Sequence, residues 1–141
     1  THCISSAASD VYKRQMFKKR WGRIGDSPVI GAGTYADNNS CAVSCTGHGE
    51  YFIRHAVAFD VCARYKYLKE SVEKAADYII HTELNTNAGN GGLIAVDKLG
   101  NIAMPYNSGG MFRGFLYKEK GSPEIKKGCG IGKKIVVVGE K

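Results

Sequence analysis

Apolar residues recur at intervals of three and four along two stretches in the middle of the chain, residues 50–68 and 71–84. This spacing predicts two helices, each with a buried face. Glu50 falls in the first turn of the first helix, where the helix dipole favours a carboxylate. The apolar positions are Phe52, Ile53, Ala56, Val57, Phe59, Val61 and Ala63 in the first stretch and Val72, Ala76, Ile79 and Ile80 in the second.

Short runs of apolar and β-branched residues flank the two helices. Before them, residues 29–35 (VIGAGTY) and 41–45 (CAVSC) predict two strands joined by a polar turn. After the helices, four more strands are predicted at residues 93–97, 101–104, 112–117 and 135–138, the first two joined by a hairpin turn. Helices that stand together between runs of antiparallel strands indicate a layered α+β fold rather than alternating β-α-β units.

Composition and charge narrow the class of protein. The 141 residues suffice for one domain with a sizeable core, and the 43% hydrophobic and 23% charged fractions are those of a soluble globular protein. The net charge of +7 raises the alternative of a basic, non-enzymatic nucleic-acid-binding domain. The basic residues lie at the two ends of the chain, however, without a recognisable binding motif. We therefore favour a solvated basic surface and expect no nucleic-acid or membrane partner.

The five cysteines are an odd number, and none stands at zinc-finger spacing from a histidine. Cys41 and Cys45 lie four apart in a predicted strand, so their side chains share a face. We predict buried free thiols in a reducing, cytoplasmic compartment, with no metal and no cofactor.

The first fifteen residues show no apolar periodicity. Residues 5–15 back-translate into a DNA string that resembles the transposon-end adapter used for sequencing libraries. We interpret residues 1–15 as translated adapter rather than native protein, and the alternative is a disordered native N-terminus. On this interpretation Thr1 is not a candidate nucleophile.

The segment GRIGDSP (residues 22–28) places Arg23 and Asp26 three apart in a glycine-containing loop. A guanidinium can bind a carboxylate through two parallel hydrogen bonds, and a carboxylate can hold an ammonium group. The two side chains therefore suit the head group of an α-amino acid. The alternative is an Arg23–Asp26 ion pair that only holds the loop.

The segment SCTGHGE (residues 44–50) places Thr46 and Gly47 on a bend between a strand and a helix. Backbone N–H groups and a hydroxyl at such a bend can stabilise an oxyanion. The alternative is a glycine turn in which Thr46 caps the helix. His48 invites a general-base role, but we assign it to the lining of the loop.

The order and separation of these segments resemble one family. GRIGDSP is followed by GAGTYADNN, SCTGHGE, GGLIAVD and SGGMFRG, an order similar to that of the plant-type asparaginases and isoaspartyl peptidases, which are N-terminal-nucleophile hydrolases. The resemblance covers about a hundred residues, from Met16 to Phe115. It implies that residues 16–141 are part of a β subunit, and that the fold is a truncated half of a four-layer αββα sandwich.

The resemblance also implies a role for each matching residue. Arg23 would bind the α-carboxylate of the substrate and Asp26 its α-amino group. Thr46 and the N–H of Gly47 would stabilise the oxyanion, and Gly49 would line the same pocket. We expect the Arg23 guanidinium to face an empty carboxylate site in the free protein.

The attacking group in this family is a threonine that becomes N-terminal when the precursor cuts itself, and its own α-amine acts as the base. That threonine and its strand should precede Met16, and neither they nor the α subunit are present in the sequence. The parent enzyme would release L-aspartate from L-asparagine or a β-aspartyl dipeptide as a dimer of αβ units. We expect residues 1–141 alone to be inactive. A glycosylasparaginase-type amidase is the alternative within the same class.

Overall fold

The computed structural model describes residues 21–118, 125–131 and 136–140. They belong to two compact units, of which the first ends at Asn107 and the second begins at Ser108. Residues 1–15, interpreted above as adapter, lie outside the described residues, so that interpretation stays a prediction. Among the described residues, none of the helices is both long enough and apolar enough to span a membrane.

The first unit is built on a four-stranded antiparallel sheet. Its strands are β1 (Thr34–Ala36), β2 (Cys41–Gly47), β3 (Gly91–Asp97) and β4 (Ile102–Ala103), in the spatial order β1-β2-β3-β4. β2 and β3 pair over their whole length, from Cys41 opposite Asp97 to Gly47 opposite Gly91. The predicted hairpin connects β3 to β4.

The strand predicted over residues 29–35 is wrong for most of its length, because β1 begins only at Thr34. The preceding residues form a turn. The N–H of Gly31 donates to the carbonyl of Thr34 (2.8 Å), and the N–H of Ala32 donates to the carbonyl of Val29 (3.1 Å). These local hydrogen bonds replace the pairing that a longer strand would need.

Three short helices form the second layer of this unit. α1 spans Gly49–Arg54, α2 spans Val57–Ala63 and α3 spans Val72–Tyr78; α2 continues into a π-helical turn at Arg64–Leu68 and α3 into another at Ile79–Leu84. The second predicted helix is therefore confirmed. Its N-cap is Ser71, whose side chain accepts a hydrogen bond from the N–H of Lys74 (3.3 Å).

The single helix predicted over residues 50–68 is wrong, because the chain breaks between α1 and α2. Ala56 adopts a left-handed backbone conformation, with φ +45°. Just after it, the N–H groups of Ala58 and Phe59 donate to the carbonyls of Ala32 and Gly31 (3.1 and 2.8 Å). In a continuous helix these two N–H groups would donate to carbonyls at the end of α1. Because they donate to the turn before β1 instead, α1 does not continue and α2 forms as a separate helix. The apolar spacing continues across the break and does not reveal it.

The core lies between the helices and one face of the sheet. It contains Val43, Cys45, Leu93 and Ala95 from the strands and Phe52, Val57, Val61, Ile79, Ile80 and Leu84 from the helical layer. Alternate strand residues face the other side of the sheet. Ile94 lies on that second face and is 42% exposed.

The second unit contains a three-stranded antiparallel sheet. Its strands are β5 (Phe112–Lys118), β6 (Ile125–Ile131) and β7 (Val136–Glu140), in the order β5-β6-β7. The apolar runs predict β5 and β7, whereas β6 is not predicted. The β6 sequence IKKGCGI contains two lysines and two glycines, which are depleted in strands, and its pairing with a neighbour on each side compensates for the weak propensity.

The prediction of free thiols is wrong for Cys41 and Cys62. Their Cα atoms are 5.6 Å apart and their sulfur atoms are bonded. Cys41 begins β2 and Cys62 lies in α2, so this pair forms only because the helix packs on the sheet. Cys45 is buried and forms no disulfide, as predicted. Cys129 also forms no disulfide, but it is exposed, so the predicted burial is wrong there.

Candidate active site

The 22–28 segment packs against the start of α1. A Cβ atom on Gly49 would lie 2.9 Å from the backbone nitrogen of Asp26 and 3.0 Å from its Oδ1. Both distances are too short for a real side chain, so only glycine allows this contact. The structure therefore brings together two of the predicted site residues, Asp26 and Gly49.

Asp26 lies in a buried turn. The residue is 6% exposed, and its neighbours Gly25 and Ser27 are also buried. The carbonyl of Asp26 accepts a hydrogen bond from the N–H of Val29 (3.0 Å). The contact with Gly49 and the hydrogen bond from Val29 therefore fix the position of the Asp26 turn.

Arg23 forms an ion pair with Glu50. Its Nη2 donates to Oε1 of Glu50, which lies in the first turn of α1. The pKa of the Glu50 carboxyl lies below its ordinary value because its own backbone N–H hydrogen-bonds to it and because the guanidinium is adjacent. Arg23 therefore already binds a carboxylate of the same chain, and the expectation that it also faces an empty carboxylate site stays a prediction.

Thr46 is the penultimate residue of β2, and α1 begins three residues later at Gly49. The N-cap of α1 is His48, which is extended and does not cap the helix with its side chain. The alternative in which Thr46 caps the helix is therefore wrong. Thr46 lies half-buried at the end of the strand, opposite Gly92.

The backbones of β2 and β3 approach each other closely at Gly47. This residue has φ +152°, and a Cβ atom on it would lie 2.6 Å from Cα of Gly91 and 2.8 Å from Cε2 of Phe52. The N–H of the following residue, His48, donates to the carbonyl of Asn90 (2.9 Å). Neither Gly47 nor Gly91 leaves room for a side chain, so the bend is made by two facing backbones.

Asn107 supports this region, although no sequence pattern identifies it. Its Oδ1 accepts a hydrogen bond from the N–H of Gly91 (2.8 Å). Its Nδ2 donates to the carbonyls of Gly89 (2.8 Å) and Ile80 (3.3 Å). One carboxamide thus holds the start of β3 against the helical layer. A single asparagine carries no spacing pattern, and the Gly-Gly opening of β3 is the only local hint that the backbone there needs support.

The histidines near this region do not form a catalytic cluster. His48 is exposed, and its ring centroid lies 6.4 Å from that of Tyr51. His55 Nδ1 lies 3.7 Å from Oε1 of Glu83, and His81 is exposed beside Asp77. In the part of the chain that the structure describes, no group of three or more His, Cys, Asp and Glu side chains is arranged to hold a metal ion.

A family model described as asparaginase matches residues 14–125, which include both segments of the candidate site. The chain belongs to the asparaginase family. An isoaspartyl peptidase of Salmonella typhimurium is 50% identical over 102 residues, which are 72% of this chain and 33% of that protein.

Other relatives carry similar names. An isoaspartyl peptidase of Escherichia coli is 45% identical over 116 residues, 75% of this chain and 36% of that protein. A human isoaspartyl peptidase/L-asparaginase is 42% identical over 109 residues, 77% of this chain and 35% of that protein. The chain thus spans about a third of the length of the curated relatives it matches.

In this member of the asparaginase family, the two candidate segments meet at one short connection. The 22–28 segment contacts Gly49 through Asp26 and Glu50 through Arg23. Thr46 and Gly47 lie immediately before these contacts on the same chain. All five predicted site residues thus lie on the 22–28 segment or on residues 46–49, and the two segments contact each other at Gly49 and Glu50.

Proposed function

We propose that the full-length protein hydrolyses the side-chain amide of L-asparagine, or the isopeptide bond of a β-aspartyl dipeptide, and releases L-aspartate. The observation that supports this most is the packing of Asp26 on Gly49, two residues beyond Gly47. That contact joins the loop suited to an α-amino acid to the bend suited to an oxyanion. The names of the relatives agree with the same reaction class.

Each residue has a distinct role in this proposal. Arg23 binds the α-carboxylate of the substrate and Asp26 its α-ammonium group, so the side-chain amide is held in one orientation. Thr46 and the N–H of Gly47 donate hydrogen bonds to the carbonyl oxygen as it becomes an oxyanion. Gly49 lines the pocket, where the absence of a side chain lets Asp26 approach.

The nucleophile in this proposal is the N-terminal threonine of the self-cleaved precursor. Its hydroxyl adds to the amide carbon while its α-amine takes the proton. The tetrahedral intermediate collapses, the same proton passes to the leaving ammonia or amine, and a β-aspartyl ester remains. Water then hydrolyses the ester, which releases L-aspartate and restores the threonine. Residues 1–141 do not include this threonine if Thr1 belongs to an adapter, and we propose that they are inactive alone.

The exposed second face of the sheet supports a four-layer αββα architecture for the whole protein. Ser44 and Ile94 pair on this face, and Ile94 is 42% exposed. By strand alternation Thr46 lies on the same side as Ser44. A second sheet about 10 Å away would cover Ile94 and enclose the catalytic threonine beside Thr46. We propose that the α subunit of the same precursor supplies it, and that two αβ units associate.

The test is the activity of the full-length protein and of its Arg23→Ala variant. The wild type should release ammonia from L-asparagine or L-aspartate from a β-aspartyl dipeptide. Arg23→Ala should lose about 2–5 kcal/mol of apparent substrate binding, because a charge-assisted contact to the α-carboxylate is removed. Arg54→Ala, which removes an exposed arginine in the last turn of α1, is the matched control and should keep wild-type kcat/KM.

Three outcomes would contradict the proposal. Hydrolysis of N-acetylglucosaminyl-asparagine without turnover of asparagine or β-aspartyl dipeptides would favour the glycosylasparaginase alternative. Salt-dependent nucleic-acid binding without hydrolysis would favour the basic binding domain. Equal kcat/KM for the wild type and Arg23→Ala would leave Arg23 with a structural role only.

A further inference from the structure

Glu50, the partner of Arg23, has no role in the reaction described so far. We propose that Glu50 is a positioning residue that holds the Arg23 guanidinium in the orientation that receives the α-carboxylate of the substrate. This inference rests on the proposed function and deepens it. It makes recognition of the α-carboxylate depend on a residue that does not itself touch the substrate.

The backbone around Glu50 is held on both sides. Its neighbour Gly49 is in contact with Asp26, and the N–H of Tyr51 donates to the carbonyl of His48 (3.1 Å). The Glu50 carboxylate therefore projects from the same helical turn that positions Asp26. One turn of α1 thus fixes both charged groups that would bind the amino-acid head group.

The ion pair with Glu50 orders the Arg23 side chain before the substrate binds. An arginine side chain has many rotamers, and fixing them for a two-bond contact costs conformational entropy when the substrate binds. A pre-formed ion pair removes part of that cost beforehand. A guanidinium carries five N–H donors in a planar fork, so it can bind a second carboxylate beside the first. The Glu50 side chain is 59% exposed and that of Arg23 22%, so Glu50 lies on the solvent side of the pair.

Two other roles for Glu50 make different predictions. A carboxylate in a first helical turn also stabilises the helix dipole, and that effect would not depend on the substrate. A Glu50 that occupies the place of the substrate carboxylate would act as a competitor, and its removal would lower KM. Glu73 lies in the first turn of α3 and provides a matched control for the dipole effect.

The experiment compares Glu50→Gln with Glu73→Gln in the full-length, self-cleaved protein. The substrates are L-asparagine and 3-aminopropanamide, which keeps the amine and the amide but lacks the α-carboxylate. We expect Glu50→Gln to lower kcat/KM for asparagine about three- to tenfold, mainly through KM, because a partly exposed ion pair is of modest strength. The kcat/KM or inhibition constant of 3-aminopropanamide should not change. Glu73→Gln should resemble the wild type with both compounds, and both variants should keep the wild-type melting temperature to within a few degrees.

The outcomes separate this inference from the proposed function. Equal losses with both compounds, a lower KM for asparagine, or no change at all in Glu50→Gln would overturn the positioning role. In each of these cases asparagine turnover by the wild type and its loss in Arg23→Ala would leave the proposed function intact. A wild type that does not turn over asparagine or a β-aspartyl dipeptide would overturn both. Partial recovery of KM in Glu50→Asp would support the inference, because the shorter carboxylate keeps the charge but not the full reach.

Discussion

The β2–β3 pair ends at Cys41 and Asp97 on one side and at Gly47 and Gly91 on the other. At the first end, a side chain holds the chain reversal. Asp97 is buried, and its Oδ1 accepts hydrogen bonds from the N–H groups of Leu99 (2.8 Å) and Asn101 (2.9 Å). Its Oδ2 accepts a further one from Nδ2 of Asn101 (2.8 Å). This carboxylate satisfies the backbone groups of the turn that would otherwise need water.

The second end has no side chains between its strands. Gly47 and Gly91 face each other directly, and Asn107 supports Gly91 from behind. The strands at Gly47 and Gly91 thus meet through their backbones alone, whereas the turn at the other end is capped by the Asp97 carboxylate. The two ends therefore differ in what holds them, a carboxylate side chain at one and two facing glycine backbones at the other. Under the proposed function, only the second end would bind an oxyanion.

The largest expected effect comes from adding one methyl group at the glycine end. Gly47→Ala places a Cβ atom in contact with Gly91 and Phe52 at a positive φ, so we expect a loss of about 3 kcal/mol or more in the free energy of unfolding, and loss of activity. Gly100→Ala is the control, since Gly100 also has a positive φ (+90°) but has nothing within 4 Å of a Cβ atom. It should lose about 1 kcal/mol. Urea unfolding of both variants measures the difference, and equal losses would mean that the close approach is unimportant.

At the Cys41–Asp97 end we expect a smaller loss in the free energy of unfolding and no loss of activity. Asp97→Ala removes three hydrogen bonds to a buried carboxylate, which should lower the free energy of unfolding by about 2–3 kcal/mol. The kcat/KM of the folded enzyme should stay at the wild-type value, because the site lies at the opposite end of the strands. Asp77→Ala, at an exposed helical position, should change the stability by no more than about 0.5 kcal/mol. A large loss of kcat/KM in the fully folded Asp97→Ala enzyme would contradict the prediction that only the Gly47–Gly91 end affects activity.

The smallest effect concerns the pH dependence of stability at the Cys41 end. The backbone N–H of Asn39 and the ammonium group of Lys66, 2.9 Å away, hold the pKa of Asp37 below its ordinary value of 3.8. The stabilisation is therefore complete above pH 3.8 and is lost as the pH falls through the lowered pKa of the folded protein. The same contact raises the pKa of Lys66 above its ordinary value of 10.5. The stabilisation that depends on the charge of Lys66 is therefore lost only above pH 10.5.

Melting temperatures measured from neutral pH down to about pH 2 would test this sign. At neutral pH, Asp37→Asn should have a slightly lower melting temperature than the wild type, which corresponds to less than about 1 kcal/mol in the free energy of unfolding. The melting temperatures of the two proteins should converge in acid. A constant difference across the whole range would show that the charge of Asp37 is not what stabilises this turn.

The order of strands and helices follows from the apolar spacing, since burial on one face imposes a period of about two on strands and 3.6 on helices. The family follows from the order and separation of five segments, GRIGDSP, GAGTYADNN, SCTGHGE, GGLIAVD and SGGMFRG. The sequence does not predict β6, because its lysines and glycines have no strand-like pattern and only pairing with both neighbours sustains it.

The sequence by itself therefore determined the α+β layering and the family, and it predicted the residues proposed to bind an amino acid. Only the tertiary structure decided that the first helix breaks at Ala56, that Cys41 meets Cys62, that Glu50 is the partner of Arg23 and that Asn107 holds Gly91. The physical reason is the range of the interactions. Spacing along the chain encodes which side of an element is buried. These contacts instead join residues 16 to 27 positions apart, or redirect backbone donors to another segment, and they exist only once the layers have packed.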